Sequence, residues 1–383
     1  MRAVRRRVAV VTDSTAALPP GAAERWGIAV VPLDVVVDGR RFTEGVSLAP
    51  DELVAALRRG AQVSTSQPAP EAFARAYARA AALGAEAVVS VHLSGELSGT
   101  VGAAHSAAER APLPVHVVDS RTAAMALGSA ALAAAWTAGG VPPDERLVEP
   151  SRVAPGPHGS AAGQAVGAPD EETRRRPERH LPAALRLPEG LRLPDGLHLP
   201  EGMRLPEGLH RWETAHLPEG MRPGRGTRRP GAARRAALPG ADEVAQAARA
   251  AAASAQVWFL VDSLEHLRRG GRLSGPAAAL GTVLGLRPLL TVADGHVVVA
   301  EKIRTRPAAR ARLEAVAVAA GGRHERVRLV VHHLGDREAA DEVASRIGAG
   351  LGDRVREVVV SEAGAVLGAH VGPGLLAVVV APA

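Results

Sequence analysis

The chain has 383 residues, which is long enough for two domains that each bury a hydrophobic core. It contains no Cys, and this excludes disulfide bonds, thiolate metal sites and a thiol nucleophile. The net charge of +6 does not indicate nucleic-acid binding, because Arg is spread along the whole chain and the few aromatic side chains (four Trp, three Phe, one Tyr) offer no stacking surface.

The N-terminal residues carry several arginines, as the start of a signal peptide does. The apolar run that follows, 8–11, is too short for the hydrophobic region of such a peptide and is soon followed by Asp13. No apolar stretch reaches the roughly 18 residues that a membrane-spanning helix needs. We therefore expect a cytoplasmic protein without a membrane span.

Residues 7–140 alternate between short apolar strands and helices, and one of the helices begins at Pro50. Short apolar strands separated by helices are typical of a parallel sheet that helices cover on both faces. We therefore predict an N-terminal α/β domain over 7–140. Its predicted strands are 8–11, 28–37, 88–91 and 115–118.

Residues 141–240 differ from the rest of the chain, because they hold 16 of its 29 prolines. A six-residue Leu-Pro-Glu-Gly-type repeat begins at Leu181 and returns at Leu217. Proline at every sixth residue prevents an α-helix longer than about one turn. We predict a disordered, low-complexity insertion in a surface loop between two globular parts. The alternative is a docking segment for a partner protein, formed by the repeat at 181–222.

Residues 241–383 return to globular alternation. The pattern predicts a helix over 242–255, then a strand and a short helix that ends at Gly270 and Gly271, and a hairpin that turns at Asp294-Gly295. Three further apolar strands follow. The sequence thus predicts a second α/β domain over 241–383, and a two-domain α/β fold whose sheets are mostly parallel.

Polar turn residues occur at two places in the N-terminal domain. Asp13 and Ser14 follow the first strand, and Thr65 and Ser66 precede a helix. Such residues commonly cap the next helix. The ends of strands in α/β sheets are also where ligands bind, and helix N-termini favour anions. The residues alone leave capping and ligand binding both open.

The segment 94–100, Ser-Gly-Glu-Leu-Ser-Gly-Thr, joins a predicted strand to a helix of small residues. The hydroxyls of Ser94 and Ser98, together with backbone N–H groups, could hold an anion there. The segment lacks the Gly-Lys-Ser/Thr of a P-loop and the Gly-x-Ser-x-Gly of a hydrolase. It therefore does not predict nucleoside triphosphate binding or a nucleophilic serine.

Two further segments carry candidate binding residues. His370 lies between glycines near the last strand and could contact an anionic head group or transfer a proton, although a structural histidine fits the pattern equally well. Arg268, Arg269 and Arg272 lie in a glycine-containing turn, where they could contact a phosphate or a partner protein, or simply face solvent.

Taken together and in this order, seven motifs resemble those of the DegV family of bacterial fatty-acid-binding proteins. The resemblance covers the chain outside 141–240. The motifs are VTDSTAALP (11–19), STSQPAP (64–70), LSGELSGT (93–100), VVDS (117–120), LVDSLEHLRRGGRLSG (260–275), LRPLLTVADGHV (286–297) and GAHVGPG (368–374).

The resemblance implies a two-domain α/β protein that holds a long-chain fatty acid in a tunnel between its domains. It also implies that the protein presents the carboxylate to a separate fatty acid kinase subunit, with no catalysis, metal or other cofactor of its own. By motif, Thr65, Ser94, Ser98 and His370 would bind the carboxylate. Asp13, Ser14 and Ser66 would support the head group. Arg268, Arg269 and Arg272 would be candidates for docking the kinase.

The chain departs from the family pattern in two places. Gly95 and Glu96 stand where a serine and a small residue are usual, and we expect the Glu96 carboxylate to point to solvent because inward it would oppose an anionic ligand. We find no match among the family's motifs for the insertion at 141–240. Two alternative functions stay open: a phosphotransferase or hydrolase that uses Ser94 or Ser98 with His370, and a regulatory protein that binds a partner through the repeat.

Overall fold

The computed structural model describes residues 7–66, 68–139, 147, 238–273 and 287–383. The predicted insertion therefore lies outside the described residues except for Leu147 and 238–240. In chain order, the strands are β1 (Val8–Asp13), β2 (Ile28–Val31), β3 (Asp34–Val37), β4 (Arg40–Thr43), β5 (Val63–Ser66), β6 (Ala87–His92), β7 (Val115–Asp119), β8 (Gln256–Leu260), β9 (Leu289–Ala293), β10 (His296–Glu301), β11 (Val327–His333), β12 (Val355–Glu362) and β13 (Leu376–Pro382). The α-helices are α1 (Ala22–Trp26), α2 (Pro50–Arg58), α3 (Pro70–Ala82), α4 (Thr100–Ala108), α5 (Ala124–Gly139), α6 (Ala241–Ser254), α7 (Glu265–Arg269), α8 (Arg306–Gly321), α9 (Arg337–Leu351) and α10 (Ala365–Val371).

The N-terminal sheet has the strand order β2-β1-β6-β7, and all of its strands are parallel. Phe73 and Tyr77 of α3 pack on one face, and the apolar side of α5 packs on the other. The central strands are buried on both faces, which is why they read as continuous valine-rich runs in the sequence. Parallel pairing brings the carboxyl ends of β1 and β6 to one edge of the sheet, next to Asp13 and the loop that begins at Leu93.

The predicted strand 28–37 is two strands in two different sheets. β2 ends at Val31, and after Pro32 and Leu33 the chain enters a small antiparallel sheet with the order β4-β3-β5. Proline has no N–H to donate to a ladder, and this favours an interruption at Pro32. Val35 and Val37 of the central strand are buried. This small sheet carries Thr65 on β5.

The C-terminal sheet has the order β10-β9-β8-β13-β11-β12 and corrects the prediction of mostly parallel sheets. Only the β11–β12 pair of this sheet is parallel, and its other four pairs are antiparallel. The reason is topological: β9 and β10 form the predicted hairpin at Asp294-Gly295, and the last strand, β13, runs between β8 and β11 in the opposite direction. The α/β class of the fold is as predicted.

The described residues before and after the gap pack into one compact unit. Helix α6, which we assigned to the C-terminal domain, packs against α5 and against strands of the N-terminal sheet. A second shared cluster buries Leu53 and Leu57 of α2 with Phe259, Leu267 and Ala369. The domain boundaries at 140 and 241 therefore stay a prediction, while the hydrophobic core runs through both parts.

Within the part of the chain that the structure describes, no helix has the length and apolar character needed to cross a membrane.

Candidate functional site

The structure brings two of the predicted binding residues together although they are 305 positions apart. Thr65 on β5 and His370 near the end of α10 are within hydrogen-bond distance, with 2.8 Å between Thr65 Oγ1 and His370 Nε2. Helix α10 packs against β3 and β5, and this contact sets the distance. The hydroxyl of Thr65 therefore faces an imidazole and does not cap the helix that follows it.

The environment of His370 favours the neutral imidazole. Burial, together with the positive charge of Arg272, lowers the pKa of His370 to about 4. Gly270 lies against the ring, and a Cβ at that position would be 2.7 Å from His370 Nδ1. Only a residue without a side chain lets the turn after α7 approach the histidine this closely.

These residues line a pocket of about 270 Å³ between the small sheet, α7 and α10. Its lining combines apolar side chains with hydroxyl, imidazole and guanidinium groups, so the pocket suits an anionic group attached to a hydrocarbon chain. Its lining residues are Leu57, Gly60, Ala61, Val63, Ser64, Thr65, His266, Arg269, Gly270, Arg272, Ala369 and His370.

Ser94 and Ser98 do not line this pocket. The buried Ser94 hydroxyl donates to the carbonyl of Gly295, at 2.8 Å, and accepts from the N–H of Glu96. Ser98 pairs with Thr100 at the start of α4. Ser94 thus links its loop to the turn between β9 and β10, and the structure does not bring either serine to Thr65 or His370.

Glu96 points outward, as predicted from its charge. Its side chain is 48% exposed, and its carboxylate lies 3.6 Å from His296 at the sheet edge. Gly95 donates its N–H to the Asp119 carboxylate, and a Cβ at position 95 would lie 3.0 Å from that carboxylate. A side chain at position 95 would therefore crowd the Asp119 carboxylate, which explains the glycine in this chain.

Asp13 supports the loop that carries Ser94. One carboxylate oxygen accepts from Thr15, and the other accepts from the N–H of Leu93 and from His92 Nδ1, at 3.1 and 3.0 Å. His92 in turn contacts the Ser90 hydroxyl, which accepts from Tyr77. Asp13 caps the short turn after β1 and fixes the start of the loop, and its role in supporting the head group stays a prediction.

The Ser90–His92–Asp13 series has the residue types of a hydrolytic triad, but all three side chains are fully buried. Because Tyr77 occupies the Ser90 hydroxyl and no solvent reaches it, the series is a structural hydrogen-bond network. The sequence analysis did not identify it. The signal was present, since Ser90 and His92 are two apart on a strand and face the same side.

Ser14 and Ser66 have different roles. The Ser14 hydroxyl accepts the N–H of Leu33 at 3.1 Å. The Ser66 hydroxyl is buried, and the part of the chain that the structure describes offers it no hydrogen-bond partner. A role of either residue at the head group stays a prediction.

The three arginines after α7 divide into two kinds. Arg268 and Arg269 are exposed and pair with Glu265. Arg272 turns inward, donates to the carbonyl of Leu97 at 3.0 Å and to that of Gly270, and lies beside His370. Arg272 therefore belongs to the pocket and also ties it to the loop that contains Ser94 and Ser98.

His266 is a pocket residue that the sequence analysis missed. Its ring packs against Gly372, and burial, followed by the charge of Arg269, lowers its pKa. Among the described residues, no group of three or more His, Cys, Asp or Glu side chains is placed to hold a metal ion.

The fold and pocket define a class: an α/β protein with an anion-compatible pocket beside an apolar cluster that both halves of the chain share. A family model described as "Uncharacterised protein, DegV family" matches residues 7–146 and 233–383. A DegV domain-containing protein of Streptomyces coelicolor is 37% identical over 98% of both chains. The chain belongs to the DegV family.

Solved structures of the family share the fold. The structure described as "Fatty Acid Binding of a DegV family Protein from Thermus thermophilus" has a TM-score of 0.68 and 28% identity, and the match covers 98% of this chain and 100% of that one. DegV of Bacillus subtilis, described as a fatty acid binding protein, has a TM-score of 0.67 and 22% identity, over 99% of this chain and 100% of that one.

Proposed function

We propose that this protein binds a long-chain fatty acid, with the carboxylate in the pocket of Thr65, His370 and Arg272. The observation that carries the proposal is the 2.8 Å contact between Thr65 and His370 beside a guanidinium group, at the edge of a shared apolar cluster. The fatty acid binding stated for the Thermus thermophilus relative supports it.

The chemistry of the pocket suits a carboxylate. Arg272 supplies a permanent positive charge, and the Thr65 hydroxyl can donate to an oxygen. A bound carboxylate beside His370 would favour the imidazolium form, so binding would take up a proton. A carboxylate that is buried without such donors would be protonated instead.

The acyl chain would lie along the apolar cluster that begins at Leu57, Val63 and Ala369 in the pocket wall. Each buried methylene contributes about 0.8 kcal/mol, so a chain of about 16 carbons supplies most of the affinity. Further members of this cluster on both sides are Leu33, Val35, Leu53, Val54, Phe259, Val261, Leu267, Leu290, Val366 and Leu375.

We further propose that the protein presents the carboxylate to a separate kinase subunit. The exposed Arg268 and Arg269 next to the pocket are the proposed docking residues. The chain has no P-loop motif, so the phosphoryl donor would be bound by the partner. The role of the repeat at 181–222 as a partner-binding segment stays a prediction outside the described residues.

The alternative of a Ser/His enzyme has no observation in its favour. Ser94 and Ser98 hydrogen-bond elsewhere, and the Ser90–His92–Asp13 series is closed to a substrate. A nucleophilic serine needs a base within hydrogen-bond reach and access for the substrate.

The first experiment is native mass spectrometry of the full chain expressed in bacteria, followed by lipid extraction. We expect a stoichiometric adduct with the mass of a long-chain fatty acid. Arg272→Ala and Thr65→Val should each weaken binding about tenfold or more, because each leaves a charged ligand with one hydrogen bond fewer. Thr65→Ser, which keeps the hydroxyl, and Arg268→Ala, which changes an exposed arginine, are the matched controls. A wild-type protein that carries no adduct and takes up neither palmitate nor oleate would refute the proposal.

A further inference from the structure

Glu44 is a buried acidic residue that connects two elements of the pocket. It directly follows β4, is only 8% exposed, and donates its backbone N–H to the carbonyl of Leu33. Its Oε1 accepts the N–H of Val366 at 2.8 Å, while its Oε2 is buried and has no hydrogen-bond partner among the described residues. Val366 is the second residue of α10, so Glu44 reaches the first turn of the helix that carries His370.

The residue before α10 explains why this contact matters. The first N–H groups of a helix have no partner within the helix, and a side chain at the preceding position commonly accepts from them. In α10 that position is Gly364, which has no side chain. A Cβ at 364 would overlap Glu44 Oε1, so the glycine leaves the space that the carboxylate fills. Glu44 thus supplies from another element the cap that Gly364 cannot.

Glu44 and Thr65 lie at the same end of the small sheet. Asp34 on β3 pairs with Thr43 on one side and with Ser66 on the other, and Glu44 and Thr65 are the chain neighbours of these two residues. The sheet therefore contacts α10 twice, through Glu44 near its start and through Thr65 at His370. The two contact points are four residues apart, which is about one helical turn.

We propose that Glu44 is a positioning residue of the pocket: by holding the start of α10 while Thr65 contacts its end, it fixes where the His370 ring lies. Helix α10 also packs against α2, α7, β3 and β5 through buried apolar side chains, but such contacts are less directional than hydrogen bonds. Without Glu44 we therefore expect the short helix to shift or rotate on the sheet. His370 would then leave both Thr65 and the tight packing against Gly270.

The Glu44 carboxyl group is buried close to the Asp13 carboxylate, and its contact with α10 is that of a hydrogen-bond acceptor. Burial raises the pKa of Glu44, and the nearby Asp13 carboxylate acts in the same direction, while the Ser14 hydroxyl and the Val366 N–H oppose them. What α10 needs from residue 44 is an oxygen that accepts a hydrogen bond. Glutamine keeps such an oxygen and alanine does not. Comparing Glu44→Gln with Glu44→Ala therefore tests whether the position of α10 depends on the hydrogen-bond acceptor at residue 44.

The test is the titration of His370 by NMR in ligand-free full-length protein, labelled at histidine. We expect Glu44→Ala to raise the pKa of His370 from about 4 by at least roughly one unit, because the ring becomes hydrated. Glu44→Gln should keep the wild-type titration. The matched control is Glu243→Ala, which removes a glutamate that accepts an N–H at the start of α6, and should leave His370 unchanged.

Fatty acid affinity is the second readout, and it alone depends on the proposed function. Glu44→Ala should weaken palmitate binding about tenfold or more, and Glu44→Gln should restore most of it. If the wild-type protein binds no fatty acid while Glu44→Ala still moves the His370 titration, the positioning role stands and the ligand assignment fails.

Two results would overturn the positioning role: an unchanged His370 titration in a folded Glu44→Ala protein, or an equal shift in Glu44→Gln and Glu44→Ala. If Glu44→Ala does not fold, Glu44→Asp replaces it, because it keeps the charge but is one methylene too short to reach Val366. A folded Glu44→Asp protein with a wild-type titration would also overturn the proposal, and a shifted one would support it.

Discussion

The pocket combines a permanent charge with a neutral imidazole. Arg272 supplies the positive charge of a guanidinium group, whereas burial and Arg272 itself lower the pKa of His370 and keep it neutral near pH 7. Thr65 contacts the imidazole and not a helix end. The three side chains come from three separate segments, so their proximity depends on the packing of α7 and α10 on the small sheet.

His370→Gln should reduce the dependence of stability on pH. The folded protein holds His370 with a pKa of about 4, and the unfolded chain has the ordinary value of about 6.5, so the unfolded state binds the proton first as the pH falls. Stability from this residue is present above pH 6.5 and is lost towards pH 4. Between pH 7 and pH 5 the wild type should lose about 2 kcal/mol more than the variant.

Urea unfolding at the two pH values measures this difference. His105 is exposed on α4, and His105→Gln should retain the wild-type dependence. The same loss of stability in wild type and His370→Gln would show that His370 does not titrate differently in the two states.

At the scale of elements, hydrogen bonds join the turn at 294–295 in the C-terminal sheet to segments that follow strands of the N-terminal sheet. Ser94 donates to the carbonyl of Gly295, and the guanidinium of Arg121 donates to the carbonyl of Asp294. Arg272 connects the same loop to the pocket through Leu97. The loop that the sequence predicts to hold an anion therefore also joins the two halves of the fold.

Gly295→Ala should destabilise the protein more than Gly271→Ala does. Both glycines have φ in the left-handed region, at +84° and +69°, so an alanine at either position is strained by about 1–2 kcal/mol. A Cβ at 295 would also lie 2.5 Å from the Ser94 hydroxyl, while a Cβ at 271 meets nothing within 4 Å. We expect an additional loss of about 1–3 kcal/mol for Gly295→Ala.

Urea unfolding measures the free energy of unfolding of Gly295→Ala and Gly271→Ala. The difference between the two values separates the effect of the Ser94 contact from that of the backbone strain. Equal destabilisation would mean that the turn moves away from Ser94 at little cost. In that case the junction between loop and turn would not contribute to holding the two halves together.

At the scale of the whole molecule, the described residues before and after the insertion pack into one compact unit. The family model stops at 146 and resumes at 233. The described hydrophobic clusters contain side chains from both ends of the chain. We therefore expect the globular unit to fold and to bind its ligand without 152–234.

Deleting 152–234, with Ser151 joined to Arg235 by a flexible linker, should leave the protein folded. The free energy of unfolding should rise by no more than about 2 kcal/mol, because each halving of the length of a flexible loop lowers its closure cost by only about 0.6 kcal/mol. Palmitate affinity should also be unchanged. Thermal unfolding and calorimetric titration measure both quantities, and a folded deletion variant that no longer binds palmitate would assign the insertion a role in binding.

The sequence by itself determined most of the strands and helices, the composition of the insertion and the family. It also identified four of the residues that line the pocket, Thr65, Arg269, Arg272 and His370. These properties are local: periodicity, proline content and short motifs can be read without knowing which segments meet. Even the outward direction of Glu96 followed from its charge alone.

The tertiary structure decided which of those residues act together. The break of 28–37 into two sheets, the antiparallel C-terminal sheet and the separation of Ser94 from Thr65 all depend on contacts between distant segments. Glu44 lies in no motif, and His266 lies in one without being marked as a binding residue, because a single glutamate or histidine looks like any other until its partner is known. Pairing across the chain is a property of the packed core, and the physical reason is that burial and long-range hydrogen bonds exist only once the core has formed.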